Sequence, residues 1–380
     1  MKVAGDWIHA APSQTVITML RDAGHAAYFV GGCVRNGLLD HPVSDIDIAT
    51  DAVPELVMQL AEGAGLRVVP TGIDHGTVTV VADDVPHEVT TFRKDVATDG
   101  RRAVVAFSKD IAEDAHRRDF TMNALYARAD GTVVDPLGGL ADLKARRVRF
   151  IEDAPTRIKE DYLRILRFFR FHAWFGDAEG GLDADGLAAC ADLAEGIAQL
   201  SKERIGAEMI KLLAAPDPAP SVAAMRGASV LAQVLPGADD RLLAPLVHLE
   251  GAVSPSSLRR LAVLGGEDVV DQLRLSKSDA KRLDLLRDEM GATTPAHALG
   301  YRYGVEVGHD ILLLRAVLSQ MPPTQQDMDD LARGANAVFP VASADLMPEY
   351  EGPALGQKLK ALEEAWIASA FQLTKADLLS

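Results

Sequence analysis

Charged and apolar residues alternate over a short segment near residue 45, and this alternation restricts the possible fold more than any other feature of the chain. The segment is Asp45–Ala49, with the sequence DIDIA. A period of two places Ile46 and Ile48 on one side of a β-strand, and Asp45 and Asp47 on the other. Because the apolar side must be covered, the sequence predicts a sheet with one buried face and two carboxylates on the other.

Two carboxylates about 7 Å apart on one strand face repel each other unless a cation lies between them. An isolated Asp-x-Asp is commonly a solvated strand edge, but Gly31-Gly32 stands shortly before it, after a predicted strand at Ala27–Val30. Glycines at a strand-to-helix turn let the backbone approach a phosphate, and Arg35 adds a cation one turn later. The pattern predicts a metal-bound triphosphate, with Mg²⁺ ions clamping the attacking and leaving oxygens.

The character of the chain changes near residue 140. Before that point the patterns predict a helix at Thr15–Ala23, strands at Thr77–Ala82 and Glu88–Phe92, and a mobile loop at Lys94–Val104. Glu88 opens its strand with the same alternation, so it could complete the metal site from a neighbouring strand. After residue 140 the sequence predicts helix after helix, rich in Ala and Leu. We therefore expect a mixed α/β head followed by an elongated helical remainder.

The net charge limits the possible partners. A charge of −16 and a pI near 5.0 argue against a protein that coats itself in nucleic acid. The segment from Lys144 to Arg170, however, contains nine basic and four acidic residues, and such a locally basic segment can hold one RNA end.

No apolar window reaches the roughly 18 residues of a membrane span. Two cysteines, Cys33 and Cys190, form no metal-type pair, and free thiols predict a cytoplasmic protein.

A helix predicted from about Pro155 separates apolar from charged residues. A salt-bridged solvent face is one interpretation, with Glu160–Arg164 and Asp161–Arg164 as favourable pairs. Phe168 falls on the charged side, which a purely solvated face does not favour. The apolar side holds Ile158, Tyr162, Ile165, Leu166 and Phe169, and the charged side holds Arg157, Glu160, Asp161, Arg164 and Arg167.

Nucleobase recognition is the other interpretation of this helix. Asp161 offers an acceptor and Arg164 a rigid donor fork. Cytosine and adenine both present an amino donor beside a ring-nitrogen acceptor, which matches this pair. Uracil and guanine present the reverse pattern and would leave buried polar groups unpaired. One residue pair could therefore accept CTP and ATP while rejecting UTP and GTP.

Six segments, in order, resemble motifs of the class II tRNA nucleotidyltransferases and bacterial poly(A) polymerases of the DNA polymerase beta superfamily. They are GGCVRN…DIDIA, HEVTTFRKD, RRDFTMNAL, DPLGGLADL, EDYLRILRFFRF and SKERIGAEMIKLL, within about residues 26–215. The resemblance implies an α+β fold with a DNA polymerase beta-like nucleotidyltransferase head at 1–140, followed by an elongated all-α neck at 141–215 and an all-α body and tail at 216–380. It also implies Mg²⁺-dependent addition of CCA to tRNA from CTP and ATP. Asn36 departs from the family, which usually has Asp there.

The resemblance assigns roles residue by residue. Asp45 and Asp47 would hold the metal with Glu88 assisting, and Asp119 would contact the ribose 2′-hydroxyl, which favours NTPs over dNTPs. The segment Lys94–Val104 resembles the flexible loop that the family uses to switch from C to A addition. The residues implied in nucleotide binding are Gly31, Gly32, Arg35, Arg118, Asp119, Asp161, Arg164, Arg167 and Arg170.

Other functions remain open at this point. Within the family these are poly(A) polymerase and CC-only or A-only addition. Outside it are a non-catalytic RNA-binding protein and nucleotidyl transfer to a small molecule or protein. His309-Asp310 has no convincing partners for a phosphohydrolase site, so the last helices are expected to grip tRNA through shape and a few cations. The sequence does not indicate an oligomeric state.

Overall fold

Nine strands form two sheets in a computed structural model that describes residues 1–99 and 102–380. The seven-stranded sheet has the order β3-β4-β5-β2-β1-β8-β9, and β6 pairs with β7. Strand β2 runs parallel to β5, whereas the other described pairs are antiparallel. The strands are β1 Ala27–Val30, β2 Ile46–Thr50, β3 Arg67–Gly72, β4 Thr77–Ala82, β5 Val85–Thr91, β6 Arg93–Asp99, β7 Arg102–Phe107, β8 Tyr126–Ala127 and β9 Val133–Val134.

Two helices, α2 (Ala11–Asp22) and α4 (Pro54–Gly63), pack on the sheet and on each other. Their apolar stripes are buried together with Ile48 of β2. Asp47 is only partly buried, as the alternation of β2 requires. The predicted two-sided strand is thus confirmed, and the packed helices leave the carboxylates on the other face of the sheet.

The predicted elements of this region agree well with the structure, with one exception. Strands β1 and β4 have the predicted bounds, β2 lies one residue further on, and the first long helix begins at Ala11 rather than Thr15. Strand β5 begins at Val85, three residues before the predicted start, so Glu88 lies within this strand and does not open it. The loop predicted at Lys94–Val104 is wrong for the described residues, because β6 and β7 form an antiparallel pair there. The β-branched run at 104–105 favours a strand, and the polar residues before it concealed this. Gly100 and Arg101 of that prediction lie outside the described residues.

Helices fill the rest of the first compact unit, Met1–Val234. The single helix predicted from Pro155 is wrong: α7 ends at Glu160 and α8 begins at Leu163. Two contacts explain the break, since Asp161 accepts a hydrogen bond from Leu163 N (3.1 Å) and the Tyr162 ring packs on Gly196, where a Cβ would lie 1.9 Å from it. The helices are α1 Asp6–His9, α3 Gly32–Leu38, α5 Ile111–His116, α6 Gly139–Lys144, α7 Ala154–Glu160, α8 Leu163–Phe175, α9 Ala184–Asp192, α10 Lys202–Leu213, α11 Ala219–Gly227 and α12 Val230–Val234.

The second unit, Leu235–Ser380, is helical and contains a buried ion network. Arg259 donates to Glu250 (2.8 Å) and to Asp310 (2.6 Å), and Asp310 also pairs with Arg282 (2.8 Å). Asp310 is therefore a structural counter-ion, in line with the expectation against a phosphohydrolase site at His309-Asp310. The helices are α13 Leu243–Glu250, α14 Ser257–Leu264, α15 Val269–Gln272, α16 Lys277–Met290, α17 Ala296–Ser319, α18 Gln325–Ala335, α19 Gly352–Ala368 and α20 Lys375–Leu379.

The two units do not coincide with the three predicted domains. Helices α11 and α12, which the prediction assigns to the body, lie within the first unit. The boundaries at 140 and 215 therefore stay predictions. No helix in the described part of the chain is both long and apolar enough to cross a membrane.

Candidate active site

A cavity of about 650 Å³ in the first unit brings together the residues that the sequence singled out. Glu88 is the one predicted site residue that is not part of its lining. Six arginines and four aspartates line the wall, and this excess of positive charge suits a polyphosphate. The lining residues are Gly31, Gly32, Arg35, Asp45, Asp47, Arg118, Asp119, Asn123, Asp161, Leu163, Arg164, Arg167, Arg170, Phe171 and Arg204.

The surroundings of Asp47 destabilise the ionised form of its carboxylate. Burial, reinforced by the negative charges of Glu88 and Asp45 and opposed by Arg118, raises its pKa to about 6. Asp45 is exposed and accepts a hydrogen bond from Ser44 Oγ (3.1 Å). A cation bound between the two aspartates would relieve this repulsion.

The donor set fits a hard divalent ion. Mg²⁺ is commonly held by one or two carboxylates together with phosphates of the substrate, and Asp45 and Asp47 supply two carboxylates at the cavity wall. Glu88 is exposed and pairs in register with Asp47 on the parallel strand β5. Within residues 1–99 and 102–380, no three acidic, histidine or cysteine side chains are grouped closely enough to form a complete protein-only metal site. The assisting role of Glu88 stays a prediction.

Gly31 makes the turn from β1 into α3 that opens this wall of the cavity. Its φ of 71° and ψ of −121° are strained for any residue with a side chain. A Cβ at this position would also lie 3.1 Å from Nη1 of Arg118. The glycine therefore allows the backbone and the Arg118 guanidinium to share one side of the cavity.

Arg35 reaches the cavity from α3 and packs against the rings of Phe171 and Phe175. Its guanidinium lies 4.0 Å from the centre of the Phe175 ring and donates to Asn123 Oδ1 (2.5 Å) and Asn36 Oδ1 (2.8 Å). Burial lowers the pKa of Arg35 to about 10, and the group remains charged at neutral pH. Asn36 also donates from Nδ2 to Pro42 O (2.8 Å), a bond that the family's usual aspartate could not make.

Asp119 organises the floor of the cavity. It accepts from Arg167 Nε (2.7 Å) and Nη2 (2.5 Å), from Asn123 Nδ2 (2.8 Å) and from Phe120 N (2.8 Å). Burial alone would raise the pKa of Asp119, but Arg167 and Asn123 outweigh it and hold that pKa well below its usual range. Because a carboxylate offers about four acceptor positions, a ribose hydroxyl would compete with these donors. The predicted ribose contact stays a prediction.

Asp161 and Arg164 face the cavity, but each is fixed by a different partner. Asp161 Oδ2 accepts from Arg204 Nη2 (2.6 Å), so the expected Asp161–Arg164 ion pair is replaced. Arg164 Nη1 donates to Glu160 Oε2 (2.5 Å), which confirms the expected i,i+4 pair. Both groups are therefore held in place by contacts within the protein.

Phe168 explains why the charged side of the predicted helix is not a solvated face. Its ring is fully buried and stacks on Phe150 (5.4 Å between centres) and near Phe120 (6.3 Å). This aromatic cluster anchors α8 beneath the cavity, so that Arg164, Arg167 and the neighbouring Arg170 project from a packed helix. Arg170 Nε in turn bonds Glu208 Oε2 of α10 (2.5 Å).

Four lining residues are not among the predicted site residues, namely Asn123, Leu163, Phe171 and Arg204, and two of them fix predicted residues in place. Asn123 connects Arg35 with Asp119, and Arg204 holds Asp161 across 43 positions of sequence. Both lie inside segments quoted for their family resemblance. Nothing local in those segments indicates which distant partner each side chain contacts.

Family profiles and solved structures that are similar to this chain come from polymerases and transferases that act on nucleotides. Profiles described as "Poly A polymerase head domain" and "Probable RNA and SrmB-binding site of polymerase A" match residues 27–149 and 182–242. The crystal structure of the Bacillus stearothermophilus CCA-adding enzyme in complex with CTP superposes with a TM-score of 0.77 at 28% identity, covering 94% of this chain and 92% of that one.

Two vertebrate relatives differ in how much of their length is matched. The mitochondrial CCA tRNA nucleotidyltransferase 1 of Mus musculus is 42% identical over 190 residues, which is 50% of this chain but only 44% of that protein. The Danio rerio protein of the same name is 34% identical over 380 aligned residues, covering 92% of this chain and 85% of that protein. On this similarity, together with the α+β fold and the assembled cavity, the chain belongs to the family of class II tRNA nucleotidyltransferases (CCA-adding enzymes) and bacterial poly(A) polymerases.

Proposed function

We propose that this chain adds CCA to the 3′ end of tRNA without a template, using CTP, ATP and Mg²⁺ and releasing pyrophosphate. One observation carries the proposal: the carboxylate pair Asp45 and Asp47 and the base-reading pair Asp161 and Arg164 line the same cavity. The first pair suits a metal-bound triphosphate and the second suits cytosine and adenine. The relatives named as CCA-adding enzymes support the same activity.

In the proposed reaction the tRNA 3′-hydroxyl attacks the α-phosphate in line, a new P–O bond forms and pyrophosphate leaves. The family typically uses a divalent metal ion, which when bound supplies charge neutralisation and lowers the pKa of a coordinated hydroxyl. Asp45 and Asp47 would hold this ion, with Glu88 assisting from β5. Arg35, Arg118, Arg167 and Arg170 would surround the triphosphate.

Base selection rests on hydrogen-bond complementarity. The Asp161 carboxylate would accept from the exocyclic amino group, and the Arg164 guanidinium would donate to the adjacent ring nitrogen. Uracil and guanine would place a carbonyl against the carboxylate, which costs several kcal/mol when water is excluded. Asp161 and Arg164 would bind cytosine as readily as adenine, which favours CCA addition over poly(A) synthesis.

Incubation with tRNA that lacks its CCA end tests the proposal. Each nucleotide is offered separately and then CTP with ATP, and the products are sized. Extension by CC with CTP alone and by CCA with both is expected; long A tracts, or CC alone with both nucleotides, would indicate a different member of the family. Asp45→Ala should abolish incorporation without unfolding the protein, and appreciable turnover by that variant would refute the metal assignment.

Two further parts of the proposal concern the binding of tRNA and the location of the protein in the cell. The helical body at 216–380 is proposed to bind the tRNA, and truncation after residue 234 would test this by tRNA affinity. A cytoplasmic location rests on the two unpaired cysteines, which are both buried. The vertebrate relatives are named as mitochondrial, so fractionation of the source cells is the relevant measurement.

A further inference from the structure

Asp161 lies in a break between two helices, and its carboxylate is fixed by two donors. The residue has extended backbone angles (φ −157°, ψ 107°) between α7 and α8. Its Oδ1 accepts from Leu163 N (3.1 Å) and its Oδ2 accepts from Arg204 Nη2 (2.6 Å). About 28% of the side chain remains exposed toward the cavity that it lines. The carboxylate is thus held firmly but stays accessible to a ligand.

The second donor comes from a rigid element. Arg204 lies in the first turn of α10, where its backbone N–H donates to the Ser201 hydroxyl (3.4 Å) that caps the helix. Met209 and Leu212 of α10 are buried in the core of the unit. The backbone of Arg204 is therefore fixed in a packed helix, so its guanidinium can hold the Asp161 carboxylate in one position.

Arg164 is the competing partner for Asp161. It lies three residues further along the chain, in the first turn of α8, and the sequence alone predicts that it pairs with Asp161. If Asp161 turned toward Arg164, the acceptor and the donor that read the base would satisfy each other, and a nucleotide would have to break that pair to bind. The contact with Arg204 opposes this collapse from the side of Asp161, and the bonds of Arg164 to Glu160 Oε2 (2.5 Å) and Arg157 O (2.6 Å) oppose it from the other side.

We propose that Arg204 is a positioning residue for nucleotide selection, which keeps the Asp161 carboxylate apart from Arg164 so that both face the base. This inference rests on the proposed function, because it concerns how that site reads cytosine and adenine. Each carboxylate oxygen has two acceptor positions. Leu163 occupies one position on Oδ1 and Arg204 one position on Oδ2, which leaves one position free on each oxygen for an exocyclic amino group.

Arg204→Met tests the inference, because methionine keeps much of the length of the side chain without its donors or charge. Arg204→Lys restores the charge without the planar fork. Lys211→Met is the matched control, since Lys211 is an exposed cation of the same helix that does not line the cavity. For each protein, the dissociation constants of CTP, ATP and UTP and the ratio of C to U incorporation into tRNA lacking CCA are measured, together with the melting temperature.

Arg204→Met should lower the preference for CTP over UTP by about 10- to 100-fold, mainly through weaker binding of CTP. Arg204→Lys should recover part of the preference, and Lys211→Met should match the wild type. An unchanged preference with a lower melting temperature would show that the ion pair is only structural. If Arg204→Met does not fold, Arg204→Gln is judged by the same ratio. A wild-type chain that fails to incorporate CTP would overturn the proposed function, whereas normal incorporation with no effect of the variants would overturn the inference alone.

Discussion

Replacing Asp47 with asparagine should stabilise the protein while abolishing its proposed activity. In the folded chain the pKa of Asp47 is raised from its usual 3.8 to about 6, because of burial and the nearby Glu88 and Asp45. Each pKa unit corresponds to about 1.36 kcal/mol, so the ionised carboxylate destabilises the fold by about 3 kcal/mol at pH 7.5. A neutral amide in its place would remove this cost and keep the shape of the side chain.

The sign of the pH dependence follows from the direction of the shift. A raised pKa means that the folded state binds the proton more tightly than the unfolded chain, so Asp47 destabilises the fold increasingly as pH rises from about 4 to about 6. The gain from Asp47→Asn should therefore fall from about 3 kcal/mol at pH 7.5 to about 1 kcal/mol at pH 4.5. For a unit of this size the gain at pH 7.5 corresponds to roughly 6–12 °C in melting temperature.

Calorimetric unfolding at the two pH values measures this effect. Asp45→Asn is the matched control, because Asp45 is exposed and its replacement should change stability by less than about 0.5 kcal/mol. Added MgCl₂ should raise the melting temperature of the wild type more than that of Asp47→Asn, since only the wild type retains both carboxylates. A variant that is no more stable than the wild type, or whose gain is equal at both pH values, would refute the reasoning.

Three further variants test other parts of the structure. Asn36→Asp removes the donor to Pro42 O and partly neutralises Arg35, so the dissociation constant of ATP should rise about 2- to 10-fold; unchanged affinity would show that the amide is dispensable. Gly31→Ala should cost about 1–3 kcal/mol by chemical denaturation, because of its positive φ and the adjacent Arg118, whereas Gly63→Ala, with open space around it, should be neutral. Arg259→Met should lower the stability of the second unit by about 3–5 kcal/mol, measured by amide hydrogen exchange of second-unit peptides in urea, because it leaves buried Glu250 and Asp310 each short of one cation. Arg302→Met, which breaks an exposed pair with Glu364, should cost no more than about 1 kcal/mol, and equal losses in the two variants would contradict this account.

The parts of the fold that local periodicity determines could be predicted from the sequence. The alternation in DIDIA and the Gly31-Gly32 turn each depend on neighbouring residues, and both are found where expected. The break before Leu163 depends instead on the Tyr162 ring meeting Gly196, 34 positions further on. Helical periodicity continues smoothly through this point, so it cannot reveal the break.

The candidate site divides in the same way. The sequence motifs correctly predicted which nucleotide-binding candidates line one cavity, because each motif determines its own local turn or helix. The local pair Glu160–Arg164 was predictable, but the partner of Asp161 was not, because Asp161 pairs with Arg204 of a distant helix and not with the nearby Arg164. Ion-pair partners are decided by how α8 packs on α10, and this packing has no local signature in either helix.

The contrast between Asp119 and Asp47 separates organising groups from binding groups in this cavity. Both are carboxylates of one wall, yet Asp119 has a lowered pKa because Arg167 and Asn123 satisfy it, whereas Asp47 has a raised one. A buried acid that is already satisfied by the protein gains little from an incoming cation, while one whose charge is destabilised by burial gains most. The divalent ion should therefore bind at Asp47 rather than at Asp119, and the aspartate that weakens the empty fold is the one on which the proposed chemistry depends.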